Sequence, residues 1–199
     1  MSATRDASVG TPRGNLIVIA GPSGVGKGKL VKELLARDPD GLVVSISATT
    51  RSPRPDEVDG VDYFFVDEAG FDRLIADGDL LEWAEVFGGN RYGTPRGFVE
   101  WRRSAGTDVI LEIDVQGAAQ VREQVPDAIL ILLEPPSLEE LERRLRGRGT
   151  EKDRHIEERL AKAERELEQA PWFHHRVVND QVARAADEVA AIIGSSRST

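Results

Sequence analysis

The stretch NLIVIA, residues 15–20, runs directly into GPSGVGKGKL, residues 21–30. A short apolar run without a charge, closed by glycine, reads as a strand buried on both faces. Gly21, Gly26 and Lys27 then match the spacing G-x-x-x-x-G-K of a phosphate-cradling loop. Glycine lets backbone N–H groups face phosphate oxygens with no Cβ in the way. The helix opening near Lys27 turns its positive end to the same anion, and Lys27 reaches the transferring phosphates. Leu30, Val31, Leu34 and Leu35 recur at helical spacing, and GLVVSIS, residues 41–47, is a second buried strand. Strand, loop, helix and strand in that order predict a parallel α/β sheet.

One position departs from the loop pattern. Where the motif places Ser or Thr, whose hydroxyl reaches magnesium, stands Gly28, followed by Lys29. Magnesium takes six oxygen ligands and usually keeps several as water, so water can replace one protein hydroxyl. Lys29 reads two ways: a solvated lysine at a helix start, or an extra cation beside the phosphates.

Residues 48–94 differ in texture. TTRSPRPDEVDG (49–60) is turn-rich and basic, and Pro53 and Pro55 exclude helix. VDYFFV (61–66) and LLEWAEVF (80–87) read as strands around a short helix, EAGFDRLIADG (68–78), which makes an antiparallel or mixed insertion. The α/β rhythm returns with a helix in TPRGFVEWRRSAG (94–106), a strand in TDVILEID (107–114), a helix in VQGAAQVREQV (115–125) and a strand in DAILILLE (127–134). In PPSLEELERRL, Ser137 is the expected N-cap, Glu140 completes a capping box, and Leu138, Leu141 and Leu145 form the apolar stripe. RGRGTE (146–151) interrupts with two glycines. Ile156, Leu160, Ala163 and Leu167 share a face of the next, charged helix. HRVVND (175–180) and VARAADEVAAII (182–193) are the last strand and helix. Five core strands result.

The chain has 199 residues, enough for one domain with a proper core. Its net charge of −9 argues against a protein that binds nucleic acid by bulk electrostatics, but not against a local basic pocket. Cysteine is absent, so no disulfide or thiolate metal site forms, which fits a cytoplasmic protein. No apolar run approaches the roughly 20 residues of a membrane span, and MSATRDASVGTPRG carries no signal-peptide core. That segment and GSSRST at the other end read as disordered tails. His155, His174 and His175 have no acid partner at a telling spacing and read as surface residues; Trp83, Trp101 and Trp172 read as packing residues.

A second anion site is visible in SATTRSPRPDEVDGVDY, residues 47–63. Arg51 and Arg54 flank Pro53, which stiffens the backbone between them. Arginine forks pair bidentately with phosphate, so these two with Tyr63 suit a monophosphate dianion. A solvated basic loop is the alternative.

GPSGVGKG, SATTRSPRPDEVDGVDYFFV, LLEWAEVFGGNRYGTP, LEIDVQGA, PPSLEELERRLRGRGTE and VVND stand in the order found in guanylate kinases. The chain resembles that family over about residues 15–193, and the second of these segments is the specific one. The resemblance implies transfer of the γ-phosphoryl of ATP to GMP or dGMP, with Mg2+ bound mainly through ATP phosphates and water. It implies an α/β P-loop fold in three layers, with a five-stranded parallel core sheet, an inserted GMP-binding subdomain and a small lid. The expected boundaries are a single domain over 15–194, made of core 15–47 and 95–194, GMP-binding insertion 48–94 and lid about 144–160, with 1–14 and 195–199 as tails. The resemblance assigns Gly21, Pro22, Ser23, Gly24, Val25, Gly26, Lys27 and Gly28 to ATP, with Asn179 near its base or ribose. It assigns Arg51, Arg54 and Tyr63 to the GMP phosphate with Tyr92 beside them, and Ser47, Glu82, Thr94 and Asp114 to the surroundings of guanine. Arg144, Arg148 and Arg159 match lid arginines near the transferring phosphoryl and join Lys27 and Arg51 as expected catalytic residues.

Three positions depart from the family pattern: the Gly28–Lys29 pair, Gly88–Gly89 as a one-residue insertion, and Arg91 where tyrosine is frequent. The chemistry nonetheless suits the residues. Guanine presents N1–H and N2–H₂ on one edge, and a carboxylate such as Glu82 accepts both. As the attacking group is already a phosphate oxygen, positioning and charge neutralisation matter more than a strong base. Two other readings share the fold: a guanylate-kinase-like binding module, of which Lys29 is a sign but which the presence of Lys27, Arg51, Arg54, Arg144, Arg148 and Arg159 opposes, and a kinase for another base, which Glu82 and Ser47 oppose.

Overall fold

The computed structural model describes residues 12–86, 89–147, 153–168 and 170–197. Its central element is β1 (Leu16–Ala20), every residue of which is buried. Leu16, Val18 and Ala20 face one apolar layer, Ile17 and Ile19 the other. This explains the unbroken apolar run, since a strand covered on both faces has no polar side to show.

Around β1 lies a five-stranded parallel sheet. β1 pairs with β7 (Asp108–Glu112) and β8 (Ile129–Glu134); β2 (Leu42–Val44) pairs with β7 at one edge, and β9 (His175–Val178) with β8 at the other. Helices α1 (Lys27–Arg37) and α7 (Val182–Ser196) cover the Ile17 face through Leu30, Val31, Leu34, Ala185, Ala186, Val189 and Ile193. On the opposite face, α3 (Arg96–Ser104) and α4 (Val115–Gln124) pack Val99, Val115, Ala118 and Val121. Five core strands in three layers agree with the sequence reading. β2 is shorter than expected; Ser45 keeps one sheet bond through its N–H to Ile110 O, 2.9 Å, before the chain leaves.

Residues beyond β2 build a second, mixed sheet in the order β4 (Phe64–Phe65), β3 (Ala48–Thr49), β6 (Asn90–Pro95), β5 (Leu80–Val86). β3 runs parallel to β4 and antiparallel to β6. The strand expected over 61–66 shrinks to two residues, because Tyr63 O bonds back to Gly60 N. Helix α2 (Glu68–Ala76) buries Phe71 against this sheet, and Asp67 caps it by accepting Gly70 N–H at 2.7 Å. Thr94 and Pro95 belong to β6 and not to the helix expected over 94–106.

Helices α5 (Leu138–Arg146) and α6 (Asp153–Glu168) pair through Leu141, Leu145, Ile156, Leu160 and Ala163, a cluster apart from both main layers. Ser137 caps α5 as expected, accepting Glu140 N–H at 3.2 Å. The Glu140 carboxylate pairs instead with Arg143 and with Arg144, 2.8 Å, in place of the return bond of a capping box.

The expected tails are partly corrected. Gly14 donates its N–H to Arg103 O at 2.8 Å, and α7 continues to Ser196. Buried Asp108 accepts Asn15 N–H on one oxygen (2.6 Å) and Arg197 Nε on the other (2.7 Å). Among the described residues no helix is long and apolar enough to cross a membrane.

Candidate active site

The carboxyl ends of the parallel strands converge on one crevice, the usual ligand position in an open α/β sheet. β1 delivers the phosphate loop there, β7 delivers Glu112 and Asp114, and β9 delivers Asn179. Gly26 is the N-cap of α1 at φ 101°, a left-handed conformation that only glycine takes freely. A Cβ on Gly26 would lie 2.6 Å from Asn179 Nδ2.

Asn179 is 2% exposed and donates its amide to Val25 O at 2.8 Å. Arg144 binds the same carbonyl (3.3 Å) and Asn179 O (2.9 Å). Both residues therefore brace the loop from beneath while lining the phosphate cavity, which Lys29 and Lys32 also border.

Lys27 lines all three cavities of the crevice. Its ammonium donates to Gly21 O and, at 3.3 Å, to Pro22 O. Burial pushes it below the ordinary lysine value, and the charges of Glu112, Glu166 and Asp114 pull it back. Partial desolvation by the surrounding crevice raises the Glu112 carboxyl, and the charges of Lys27 and Lys32 lower it. Its carboxylate oxygens lie 3.4 and 3.5 Å from where a Cβ on Gly28 would stand. An acid thus faces the position of the missing hydroxyl.

The second cavity is lined by Lys27, Ser47, Tyr63, Glu82, Tyr92, Glu112 and Asp114 among others. Glu82 is 5% exposed. A register shift between Leu80 and Glu82 breaks the alternation of β5, so Leu81 and Glu82 are both buried and Trp83 faces outward. Thr94 Oγ1 donates to Glu82 Oε1 at 2.6 Å. The other carboxylate oxygen lies against α4, only 2.5 Å from a Cβ placed on Gly117. Burial, aided by the charge of Asp114 and opposed by Thr94, raises the Glu82 carboxyl to about 7. Thr94 itself is buried and serves the pocket through Glu82.

The third cavity joins Lys27, Arg51, Arg54 and Tyr92 to Asp114, Arg159, Lys162 and Glu166. Arg51 donates Nε to Tyr92 OH (2.9 Å) and grips Glu57 with one nitrogen at 2.8 and 2.9 Å. Its guanidinium lies 5.3 Å from the centre of the Tyr63 ring, and the Tyr63 and Tyr92 rings meet edge to face. Arg54 extends into solvent, 3.6 Å from Glu57. The backbone N–H of Arg54, with Arg51, holds the Glu57 carboxyl below its ordinary range.

Most of the candidates therefore come together. Lys27, the loop glycines, Ser47, Arg51, Arg54, Tyr63, Glu82, Tyr92, Asp114, Arg144, Arg159 and Asn179 line the connected cavities. Arg148 lies outside the described residues. Sequence reasoning missed Glu57, Glu112, Gly117, Lys162 and Glu166. A glycine in the first turn of a helix was the available signal for Gly117, since it lowers helix propensity and needs a packing reason. Arg91, the departure from tyrosine, is a clamp: it pairs with Asp72 (2.6 Å) and Glu68 on α2, and its guanidinium lies 4.8 Å from the Phe71 ring centre. Trp101, expected in packing, is 59% exposed.

A phosphate loop on a parallel sheet, with a second basic cavity opening at the same lysine, defines a P-loop phosphotransferase of nucleotides. The guanylate kinase family model matches residues 13–196. The chain is 55% identical over 180 residues to a guanylate kinase of Thermobifida fusca (strain YX), covering 90% of this chain and 91% of that one. It is 54% identical over 180 residues to one of Streptomyces coelicolor, covering 90% of each. The crystal structure of guanylate kinase from Anaplasma phagocytophilum superposes with a TM-score of 0.74 at 33% identity, covering 94% of this chain and 87% of that one. The chain belongs to the guanylate kinase family.

Proposed function

We propose that the chain moves the γ-phosphoryl of ATP to GMP or dGMP, giving ADP and GDP or dGDP. The observation that carries this reading is that Lys27 borders both the phosphate-loop cavity and the two cavities holding Glu82 and Arg51. A donor phosphate on the loop and an acceptor phosphate on the arginines therefore meet at one cation.

In this reading the loop N–H groups and the end of α1 hold the donor phosphates. Arg51, Arg54, Tyr63 and Tyr92 hold the GMP phosphate, and Glu82, Ser47 and Asp114 surround the base. Arg144 and Arg159, with Arg148, balance charge on the moving phosphoryl. Charged Glu82 accepts two donors from guanine, whereas adenine offers no such pair, so the wrong base leaves a buried carboxylate unmatched. The reading includes the expected division into core, insertion and lid, whose closing would keep water from ATP.

The residues fit a magnesium ion carried on ATP phosphates. Gly28 places no side chain between the loop and Glu112, so the Glu112 carboxyl would help hold the ion through water where the hydroxyl is missing. Among the described residues no three acids or histidines gather as a protein cage. When bound, magnesium supplies neutralisation of the β- and γ-phosphate charge. We assign the reaction to purine nucleotide metabolism in the cytoplasm.

The test is ADP formation from ATP with GMP, dGMP, AMP, CMP or UMP as acceptor. Turnover confined to the two guanine nucleotides is expected. Equal use of AMP, or none of GMP, overturns the reading.

A further inference from the structure

Lys162 has no part in the roles above, yet it stands inside the site. It lies on α6 three residues after Arg159, so both side chains project from one face of the helix. Its ammonium is 3.2 Å from Asp114 Oδ2 and 3.4 Å from Glu166 Oε1. Glu166 is 7% exposed. The other oxygen of Asp114 accepts Gly117 N–H at 2.9 Å. One carboxylate therefore carries the start of α4 on one oxygen and α6 on the other.

We infer that Lys162 is a positioning residue: its ion pair to Asp114 sets α6, and with it Arg159, in register with bound GMP. The inference rests on the reading proposed above and deepens it. The apolar cluster of Leu141, Leu145, Ile156, Leu160 and Ala163 keeps α5 and α6 together. Every member of that cluster lies on α5 or α6, so it fastens the two helices to each other and not to the start of α4. The charge-assisted hydrogen bond from Lys162 to Asp114 is directional and makes that second connection. Three residues of helix rise about 4.5 Å, so an anchor at Lys162 fixes Arg159 within the reach of one guanidinium. Arg159 and Lys162 line the same cavity as Arg51 and Arg54, which places this anchor beside the acceptor phosphate. The Lys162 side chain is 41% exposed, while those of its partners Asp114 and Glu166 are 23% and 9% exposed. Removing this half-exposed cation is expected to leave the fold intact.

Lys162→Met and Lys162→Arg test this, alone and combined with Arg159→Ala. Lys162→Met is expected to lower kcat about tenfold to thirtyfold and raise KM for GMP severalfold, with KM for ATP within about twofold. Lys162→Arg restores at least roughly a third of kcat, because it keeps a donor to Asp114. If Lys162 acts through Arg159, the double variant falls within about twofold of Arg159→Ala. A merely structural role gives multiplying losses and a lowered Tm. Multiplying losses, an unchanged kcat, or equal shifts in both KM values overturn the inference. A second readout needs no turnover: GMP slows amide exchange along residues 156–168 in the chain and in Lys162→Arg, but not in Lys162→Met. Wild-type exchange that ignores GMP overturns the inference. Absence of any GMP-dependent ADP formation strikes instead at the function proposed above, and the exchange measurement still decides the role of Lys162.

Discussion

Burial pushes the Glu82 carboxyl up to about 7. In the function proposed above its charged form accepts from guanine, so kcat/KM for GMP is expected to fall as pH drops below about 7. The GMP phosphate also titrates near 6, so the wild-type profile must be compared with that of Glu82→Gln. The variant is expected to lose the Glu82 limb and to bind GMP about 1–3 kcal/mol more weakly, since an amide accepts only one of the two donors. The same burial acts on stability with a definite sign. A carboxyl whose folded pKa is raised costs the fold above that pKa, and the cost disappears as pH falls through about 7 toward the ordinary value. The penalty at high pH is of order 3 kcal/mol. Glu82→Gln therefore unfolds at higher urea than wild type at pH 8 and at a similar concentration near pH 4.5. A variant no more stable at pH 8 contradicts the burial argument. At the phosphate loop, the proposed function has the backbone, Lys27 and the end of α1 bind donor phosphates without a hydroxyl at 28 or 29. Lys29→Thr is expected to change kcat/KM for ATP by less than about tenfold, about 1.4 kcal/mol. Recovery of an inactive chain by a hundredfold or more would mark Lys29 as a lesion, and the chain as a binding module.

Elements carry the next level of the argument, and α4 is the clearest case. Its first turn holds Gly117 against the Glu82 carboxylate, so the core helix shapes the pocket of the inserted sheet. Gly117→Ala puts a methyl 2.5 Å from that oxygen. Alanine favours helix by about 1 kcal/mol over glycine, so α4 itself gains. The expected outcome is an unchanged or raised Tm with KM for GMP up about tenfold and KM for ATP unaltered, read from steady-state kinetics and a melting curve. The five core strands were legible because β1, β7 and β8 are wholly or nearly buried and their sequences say so without alternation. The phosphate loop was legible because it is local. The second sheet was less so: β3 and β4 have two residues each, too short for a period to show. Nothing in LLEWAE separates a buried Glu82 from a solvent-facing strand residue, because the register shift in β5 is invisible there. Lys162 and Glu57 were missed for a plainer reason. Their partners, Asp114 and Arg51, are chosen by tertiary approach and by a turn, and no spacing announces either.

At the scale of the molecule, the two sheets meet across the acceptor cavity, with Lys27 and Asp114 from the core and Ser47, Glu82 and Tyr92 at or beyond the crossing point. In the function proposed above, GMP bridges both parts and binds only the folded chain. At a concentration one hundredfold above its Kd it adds about 2.7 kcal/mol. For a domain of this size that raises Tm by roughly 5–10 °C. AMP at the same concentration is expected to leave Tm unchanged, and an equal shift would show that the cavity does not select the base.

The clasp at Asp108 has a consequence for biosynthesis. Asn15 and Asp108 are 93 residues apart in sequence, and Arg197 follows Asp108 by 89. β1 leaves the ribosome well before both of its sheet neighbours and before the carboxylate that holds the Asn15 N–H beside it. At translation speeds of about 5–20 residues per second, the most apolar strand of the protein waits roughly 5–20 s for its first partner. During that interval NLIVIA is an unpaired edge with no charge to guard it, the kind of segment that chaperones bind and that aggregates when they are scarce.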